Sequence, residues 1–203
     1  LYADDMWDAV LEAGKKHNLM VIAPAHHRRI QAGILSWGQD LDHEHNPFQC
    51  NLGYQVSLSG KGEWAKKGDY IGKQALEKMK ADLKDGHKPY KLQLVGFEIG
   101  GKPIDEYAPD FWLVSPGDGG DPCGFITSPW YHPEKGKNIA MGYIPFDGTL
   151  NPNGFPKWEL GKKFKVHLPD IYADEPGVPV DAVTVDVPFT ESFNANTREV
   201  VKG

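Results

Sequence analysis

Short apolar segments separated by turns fill the second half of the chain, and this pattern restricts the fold more than any other feature of the sequence. If residues 92–98 form a strand, the side chains of 92, 94, 96 and 98 lie opposite those of 93, 95 and 97. Most of the 23 glycines and 16 prolines follow Gly86 and separate the later apolar segments. Such a pattern predicts a small antiparallel barrel or sandwich. Further strands are expected at residues 111–115, 123–127, 139–144, 164–168 and 178–187.

The beginning of the chain has helical periodicity instead. A helix is predicted at residues 4–17, because four apolar side chains recur there at helical spacing and basic residues follow at the C-terminal end. The next apolar run, 19–23, predicts a short buried strand that Pro24 stops, and residues 25–29 predict a turn or short helix. The apolar stripe consists of Met6, Trp7, Val10 and Leu11.

A second helix and a module boundary are predicted in the middle of the chain. Residues 53–58 alternate as a strand does, and the polar, Lys-rich stretch 61–68 indicates a boundary. A helix then covers 71–85, with Asp69 as its N-terminal cap and Gly86 in the left-handed position after its end. Helices followed by a run of strands give an α+β fold class.

Charge and apolar content argue against two kinds of partner. The chain has a formal net charge of −6 and no basic stripe, so no nucleic acid is expected as a partner. No apolar run approaches membrane-spanning length, so no membrane is expected either. Cys50 and Cys123 lie far apart in the sequence and are expected to be free thiols, which favours a cytoplasmic location.

Four adjacent polar residues, His26 to Arg29, lie between two apolar runs. One interpretation is a solvated loop. The other is a site for a carboxylate, because a guanidinium binds a carboxylate with two hydrogen bonds and an imidazole exchanges protons near neutral pH. In the second interpretation His27 is the candidate catalytic acid, although His26 could face the pocket instead. Arg28 and Arg29 are then the candidate substrate-binding residues.

Three further residues are candidates for binding a flat, polar cofactor. Gln31 is a lone polar residue among apolar neighbours, and its amide needs hydrogen-bond partners if it is buried. Trp37 offers a ring face for stacking, or it is an ordinary core residue. Tyr54 is assigned to the same cofactor site, although a structural place in the core is the favoured interpretation.

Residues 42–45, Asp-His-Glu-His, resemble a metal-binding cluster only superficially. Two histidines two positions apart would share one face of a strand, but the acidic neighbours and the nearby Pro47 favour a solvated loop. No second ligand pair occurs at zinc-like spacing, so no metal site is predicted.

Several segments together resemble a known family. Arg-Ile-Gln-Ala-Gly at 29–33 is followed by Trp-Gly-Gln-Asp-Leu-Asp at 37–42 and Asn-Pro-Phe at 46–48. Later blocks are Asp-Tyr-Ile-Gly-Lys-Gln-Ala-Leu at 69–76, Gly-Phe-Ile-Thr-Ser at 124–128 and Ile-Ala-Met-Gly-Tyr-Ile-Pro at 139–145. These blocks are similar to the C-terminal part of the glycine cleavage T-protein (aminomethyltransferase) family, over about residues 4–190. A departure from the family pattern at Trp130 and Tyr131 is expected to form a loop that either closes over a ligand or packs on the surface.

The resemblance implies tetrahydrofolate as cofactor, and it implies a division of the chain. Residues 1–62 would be the C-terminal part of a folate-binding domain that is incomplete here, 63–90 a linker and helix, and 91–203 an antiparallel β-barrel. The missing N-terminal half of the same protein is then an expected partner. The chain begins at Leu1 and leads directly into a helix, which also suggests a fragment.

Within the family, the sequence looks closer to the tetrahydrofolate-dependent demethylases that act on dimethylsulfoniopropionate, vanillate or syringate. The implied reaction is O-demethylation of a methoxylated aromatic acid, a small-molecule methyl donor of the kind met in lignin catabolism. Methyl transfer to tetrahydrofolate needs a proton donor for the departing phenolate. The alternatives are aminomethyl transfer in the glycine cleavage system and a non-catalytic folate-binding module. Family members of the last kind carry a Lys-Gly-Cys motif that is not found here.

Overall fold

The computed structural model describes residues 2–22, 25–58 and 68–189. In this part of the chain, three α-helices precede six β-strands. The helices are α1 (Ala3–Gly14), α2 (His26–Gln31) and α3 (Lys73–Lys84), with short 3-10 turns at Lys15–His17 and Gly53–Gln55. The strands are β1 (Leu92–Ile99), β2 (Trp112–Pro116), β3 (Gly124–His132), β4 (Lys137–Pro145), β5 (Lys163–Val166) and β6 (Val180–Val185).

The six strands close into an antiparallel barrel in the order β1-β4-β3-β2-β5-β6. Closure gives every strand two neighbours, so the barrel has no edge strand. β1 and β4 pair along their whole lengths, from Leu92 opposite Pro145 to Ile99 opposite Asn138. The expected α+β class and C-terminal barrel are confirmed, and all six strands overlap the predicted segments. The sequence could not separate barrel from sandwich, because both show the same alternation along each strand.

Every strand contributes side chains to the barrel interior. Val95, Phe97, Val114 and Ile126 are all fully buried there. The same core contains the rings of Trp112, Phe164 and Tyr172. Alternation along each strand places these residues on one face. These side chains form the packed core of the barrel.

The outer faces of β1 and β4 are also buried, which explains why β4 lacks polar alternation. Leu94, Met141 and Tyr143 point outward from these strands and pack with Ile30 of α2 and with Phe189. All seven residues of β4 between its two ends are buried. The N-terminal segment therefore attaches to the barrel on this side, and α2 is its main point of contact.

A third, smaller cluster attaches α3 to the rest of the molecule. Leu83 of α3 is buried against Phe48 and Phe146, and Leu76 and Met79 are partly buried beside them. The residue preceding this helix is Gly72, in the left-handed region at φ +89°, and no side chain caps it. Asp69 was the predicted cap, but its carboxylate accepts a hydrogen bond from the adjacent amide of Tyr70. Gly86 is left-handed as predicted, at φ +83°.

Other local predictions are wrong. A strand was predicted at 19–23, but residues 19–22 form no strand and are exposed, because they have no pairing partner among the described residues. Residue 23 lies outside the described residues. The predicted strand at 53–58 begins with a 3-10 turn and continues without regular structure. The expected loop at Trp130 and Tyr131 is part of β3, paired with Ile139 and Asn138 of β4.

The predicted first helix is present as α1, but its apolar stripe is exposed. No residue of α1 is buried, and Met6, Trp7 and Val10 are each more than half exposed. Pro24 and residues 61–67 lie outside the described residues. The module boundary at 61–68 and the domain limits at 62 and 90 stay predictions. No helix in the described ranges is long and apolar enough to cross a membrane.

Truncating a buried barrel residue should cost stability, and truncating its exposed neighbour on β2 should not. Val114 is fully buried whereas Leu113 is 51% exposed. We expect Val114→Ala to lower the free energy of unfolding by about 2 kcal/mol, and Leu113→Ala to change it by less than about 0.5 kcal/mol. Urea denaturation measures both. Equal losses for the two variants would contradict the inward orientation of Val114.

Candidate functional site

The side chain of Arg29 points into the contact between α2 and the barrel. Its guanidinium donates to the carboxylate of Asp40 at 2.8 Å, the amide oxygen of Gln39 at 2.9 Å and the hydroxyl of Ser128 at 2.8 Å. Two weaker contacts, with the carbonyl of Ile34 at 3.2 Å and Nδ1 of His26 at 3.4 Å, account for the remaining N–H groups. All five guanidinium N–H groups are therefore directed at acceptors within the protein.

Asp40 is the buried acceptor at the centre of these contacts. Its carboxylate accepts from Arg29, from the backbone N–H of Ser36 at 2.8 Å, and from the hydroxyls of Thr127 at 2.6 Å and Ser128 at 2.5 Å. A carboxylate removed from water needs such a set of donors to offset its desolvation. We call Arg29, Gln39, Asp40, Thr127 and Ser128 the Asp40 network.

Further hydrogen bonds connect this segment to the barrel. The hydroxyl of Tyr143 donates to the backbone carbonyl of Asp40 at 2.7 Å. The amide of Gln39 donates to the carbonyl of Thr127 at 2.8 Å. The carbonyl of Gln31 accepts from the backbone N–H of Phe189 at 2.9 Å. Residues that are distant in sequence thus hold α2 and the turn after it against β3 and β4.

Helix α2 forms one wall of an open cavity of about 600 Å³. This size falls within the range of small-molecule sites. We call it the α2 cavity; it is lined by His27, Arg28, Arg29, Gln31, Ala32, Ile34, Pro133 and Glu134. Four of the residues predicted from the sequence are therefore brought together on one surface.

The structure distinguishes the two adjacent histidines. His27 lines the α2 cavity, whereas His26 does not. The ring of His26 packs against Tyr107 and Trp130, with centroid distances of 4.8 and 6.0 Å. The centroid of His27 lies 6.4 Å from that of Trp130. Half-buried His27 is thus the one placed to meet a ligand in the cavity.

Charges of both signs lie along the α2 cavity. Arg28 and Glu134 are exposed, and in the described ranges neither side chain forms an ion pair. Arg29, by contrast, is occupied by the Asp40 network. That arrangement argues against its predicted substrate-binding role and leaves Arg28 as the candidate for a ligand carboxylate.

The three predicted cofactor-binding residues do not share a cavity. Gln31 lines the α2 cavity, while Tyr54 lines two smaller cavities of about 290 Å³ each. Ala32 lies on both the α2 cavity and one of these smaller ones, so the cavities are neighbours. Trp37 is 68% exposed on a turn and lines none of the three. The cofactor roles of these residues stay predictions.

Other titratable groups near the site are held in their neutral forms. Burial raises the pKa of the Cys50 thiol and of the Tyr143 phenol, and these two groups lie 3.4 Å apart. Burial lowers the pKa of His132, whose Nε2 atom has no hydrogen-bond partner among the described residues. None of these three residues lines the α2 cavity, so His27 remains the proton-transfer candidate there.

The acidic and histidine residues at 42–45 form a local turn. The carboxylate of Asp42 accepts from the backbone N–H of Glu44 and contacts Nδ1 of His45, both at 2.8 Å. These contacts, the backbone hydrogen bond first, lower the pKa of Asp42. Within residues 2–22, 25–58 and 68–189, no three His, Cys, Asp or Glu side chains converge as a metal site.

The sequence interpretation missed Asp40, Thr127, Ser128 and Glu134 as members of the site. The first three lie inside the motifs at 37–42 and 124–128, but nothing in their spacing showed that the motifs meet. Polar residues within an otherwise buried strand, as at Thr127 and Ser128, are the signal that could have indicated a partner.

Comparison with known proteins agrees with the sequence resemblance. No family model matches the chain. The chain is 31% identical over 144 residues to an aminomethyltransferase of Symbiobacterium thermophilum, which covers 69% of the chain and 33% of that relative. It is 29% identical over 166 residues to the dimethylsulfoniopropionate demethylase of Ruegeria pomeroyi, which covers 81% of the chain and 38% of that relative. The chain thus spans about a third of the length of the curated relatives it matches.

A solved structure shows the same fold. The glycine cleavage system aminomethyltransferase T from Bartonella henselae matches with a TM-score of 0.55 and 20% sequence identity, over 80% of this chain and 37% of that chain. The resemblance to the C-terminal part of the aminomethyltransferase family is therefore confirmed, both in sequence and in fold.

Removing the hydroxyl of Tyr143 should weaken the attachment of the turn around Asp40 to the barrel. Tyr143→Phe keeps the buried ring but leaves the carbonyl of Asp40 without its donor. We expect the free energy of unfolding to fall by about 1–2 kcal/mol, measured by urea denaturation. Tyr54→Phe is the control, because Tyr54 is exposed and, among the described residues, its hydroxyl hydrogen-bonds only to the neighbouring Gln55. If both variants were equally stable, the hydrogen bond to Asp40 would contribute nothing.

Proposed function

We propose that this chain functions in tetrahydrofolate-dependent one-carbon transfer. It resembles the C-terminal third of the aminomethyltransferases. The observation that carries this proposal is the α2 cavity, where His27, Arg28 and Gln31 lie on one wall. A proton donor, a cation and an amide on one surface match the needs of a reaction between a carboxylate-bearing donor and a polar heterocycle.

In this proposal Gln31 binds the pterin ring of tetrahydrofolate. A pterin presents adjacent hydrogen-bond donors and acceptors along one edge, and a carboxamide offers one of each in the same plane. Gln31 is half-buried, and its amide makes no hydrogen bond within residues 2–22, 25–58 and 68–189. It therefore has donor and acceptor capacity for a ligand. Trp37 and Tyr54 stay in the proposal as cofactor contacts, Tyr54 from the adjoining cavity.

The finer proposal is O-demethylation of a methoxylated aromatic acid such as vanillate or syringate. Tetrahydrofolate, when bound, would accept the methyl group from the aryl oxygen and give up its amine proton, and His27 would protonate the departing phenolate. Arg28 binds the carboxylate of the aromatic acid. Both residues line the same cavity, so one small substrate can reach both.

Aminomethyl transfer is the second candidate, and Glu134 favours it. This carboxylate lines the α2 cavity with Arg28 and has no ion-pair partner among the described residues. Glu134 could form an ion pair with a donor that carries a positively charged nitrogen. A methoxybenzoate carries no such positive charge. The relatives named aminomethyltransferase support the same reaction. A non-catalytic folate-binding module is the third alternative, and absence of turnover in the presence of bound folate would favour it.

Part of the site is proposed to lie outside the described residues. The exposed apolar side chains of α1 and of residues 19–22 are suited to contact with a further part of a folate-binding unit. Such a part, the N-terminal half of the same protein, would complete the folate site. Cys50 and Cys123 are free thiols, which supports a reducing compartment such as the cytoplasm.

Loss of the Gln31 amide should weaken folate binding. We expect Gln31→Ala to reduce the affinity of the complete protein for tetrahydrofolate by roughly 1–3 kcal/mol, because the pterin edge loses its partners. Isothermal titration calorimetry measures the change. Gln74→Ala, on an exposed residue of α3 outside the three cavities, is the matched control. Unchanged affinity in Gln31→Ala would remove this residue from the site.

His27 should affect turnover rather than folate affinity. We expect His27→Phe to lower the single-turnover rate of methyl transfer by roughly 10²–10⁴-fold, with folate affinity largely kept. His87→Phe is the control, since His87 is exposed and lies outside the α2 cavity. Rapid-quench assays with vanillate, syringate, dimethylsulfoniopropionate and an aminomethyl donor would identify the substrate class. Equal rates in both variants and wild type would exclude His27 as the acid.

Arg28 should determine the preference for donors with a carboxylate. We expect Arg28→Ala to raise KM for methoxybenzoates and to leave KM unchanged for aryl methyl ethers that lack a carboxylate. Steady-state kinetics on the two substrate types measures the difference. A similar rise in KM for both types would show that Arg28 does not bind the carboxylate.

A further inference from the structure

We propose that a β-bulge in the barrel, acting through Asp40, is the positioning element that sets the orientation of α2 and hence of the residues in the α2 cavity. Thr127, Ser128 and Asp40 are then positioning residues that contact no ligand themselves. The orientation of α2 can be tested without any ligand. Only its consequence for turnover rests on the proposed function.

The bulge directs two consecutive side chains to one carboxylate. In a regular strand, neighbouring side chains point to opposite faces. The pairing of β3 with β4 shifts between Ile126 and Ser128, which leaves Thr127 without a partner opposite it. This irregularity allows the hydroxyls of both Thr127 and Ser128 to donate to the same Oδ1 atom of Asp40.

Asp40, held by these hydroxyls, in turn fixes the position of the Arg29 guanidinium. Its second carboxylate oxygen accepts from Nη1 of Arg29, while Ser128 and Gln39 accept from Nη2. Two nitrogens with separate acceptors fix the plane of the guanidinium, which a single ion pair would not do. The side chain of Asp40 is fully buried and that of Arg29 is only 16% exposed, so water does not compete freely for these contacts.

α2 depends on such contacts because it is too short to hold itself in place. It has six residues, no side-chain cap, and only Ile30 buried. Helices of this length are not stable alone. Gly33, in the left-handed region at φ +68°, ends it directly. Ile30 attaches the helix to the barrel, and the carbonyl of Gln31 and the ring of His26 make further contacts. Arg29 adds directional hydrogen bonds that restrict rotation about the helix axis, and His27, Arg28 and Gln31 turn with it.

The polar character of the network supports orientation rather than stability as its role. A buried ion pair often adds little net stability compared with apolar residues of the same volume. Apolar residues could fill the same space between α2 and β3. They would not define the direction of the cavity-lining side chains, which directional hydrogen bonds do.

Trp130 provides a direct measure of the orientation of α2. The ring of His26 is stacked on that of Trp130, with an interplanar angle of 15°, and His27 lies close by. The indole ring current shifts the imidazole proton resonances of both histidines. In protein carrying ¹³C-labelled histidine, these shifts report whether α2 keeps its rotation, whether or not folate binds.

The test compares Thr127→Val and Ser128→Ala with the conservative Thr127→Ser and with Thr184→Val. Thr184 is a buried threonine on β6 whose hydroxyl bonds to the carbonyl of Glu159, and it makes no contact with α2. All four variants are assayed in the complete protein for melting temperature, imidazole shifts and single-turnover methyl transfer to tetrahydrofolate. Thr127→Val keeps the side-chain volume and leaves Ser128 as a donor to Asp40, so we expect it to fold even if Ser128→Ala does not.

We expect Thr127→Val and Ser128→Ala to move the shifts of His26 and His27 toward those of free histidine and to slow turnover by about 10- to 100-fold. Thr127→Ser should restore both readouts. Thr184→Val should lower the melting temperature to a similar extent while leaving both readouts at wild-type values. Wild-type imidazole shifts in Thr127→Val and in every folded Ser128→Ala preparation would overturn the inference and leave a purely structural role. Altered shifts in a protein that lacks methyl-transfer activity would uphold the positioning of α2 and reject the proposed function.

Discussion

The ion pair between Arg29 and Asp40 joins the N-terminal segment to the barrel, and the shape of the α2 cavity depends on it. Nη1 of Arg29 lies 2.8 Å from Oδ2 of Asp40, and the side chain of Asp40 is fully buried from water. Desolvating a carboxylate is costly, and a single guanidinium would not offset that cost. Hydroxyls from the bulge in β3 and a backbone N–H supply the remaining hydrogen bonds. The pair is therefore formed only when segments distant in sequence are in their final places.

The four polar residues at the start of α2 therefore face different surroundings. Arg29 faces the barrel and is fully occupied, while His27 and Arg28 face the cavity. His26 packs against aromatic rings at the edge of the barrel. Successive helical positions are rotated about 100° from each other, so four consecutive residues must point in different directions. A solvated loop would have left all four exposed, and only Arg28 is.

The strand pattern made most of the barrel predictable, and the exceptions have physical causes. Short apolar segments between glycines and prolines located all six strands, including β4, which is buried on both faces and does not alternate. β3 extends further than predicted, through Trp130 and Tyr131, since its end is stabilised by pairing with β4 and not by its own composition. Residues 19–22 were expected to be buried because they are apolar, but burial requires a partner surface, and the described residues offer none.

The sequence by itself determined the class of fold, the family resemblance and a short stretch, 26–31, rich in groups that can bind a ligand. These depend on local composition and spacing, which are read directly from the chain. Only the tertiary structure decided which of those groups serve the cavity. It separated His27 from His26, assigned Arg29 to Asp40, added Glu134 and placed Trp37 outside the cavity. The reason is that Asp40 and Ser128 are 88 positions apart, and their contact exists only after the barrel has closed and α2 has docked on it.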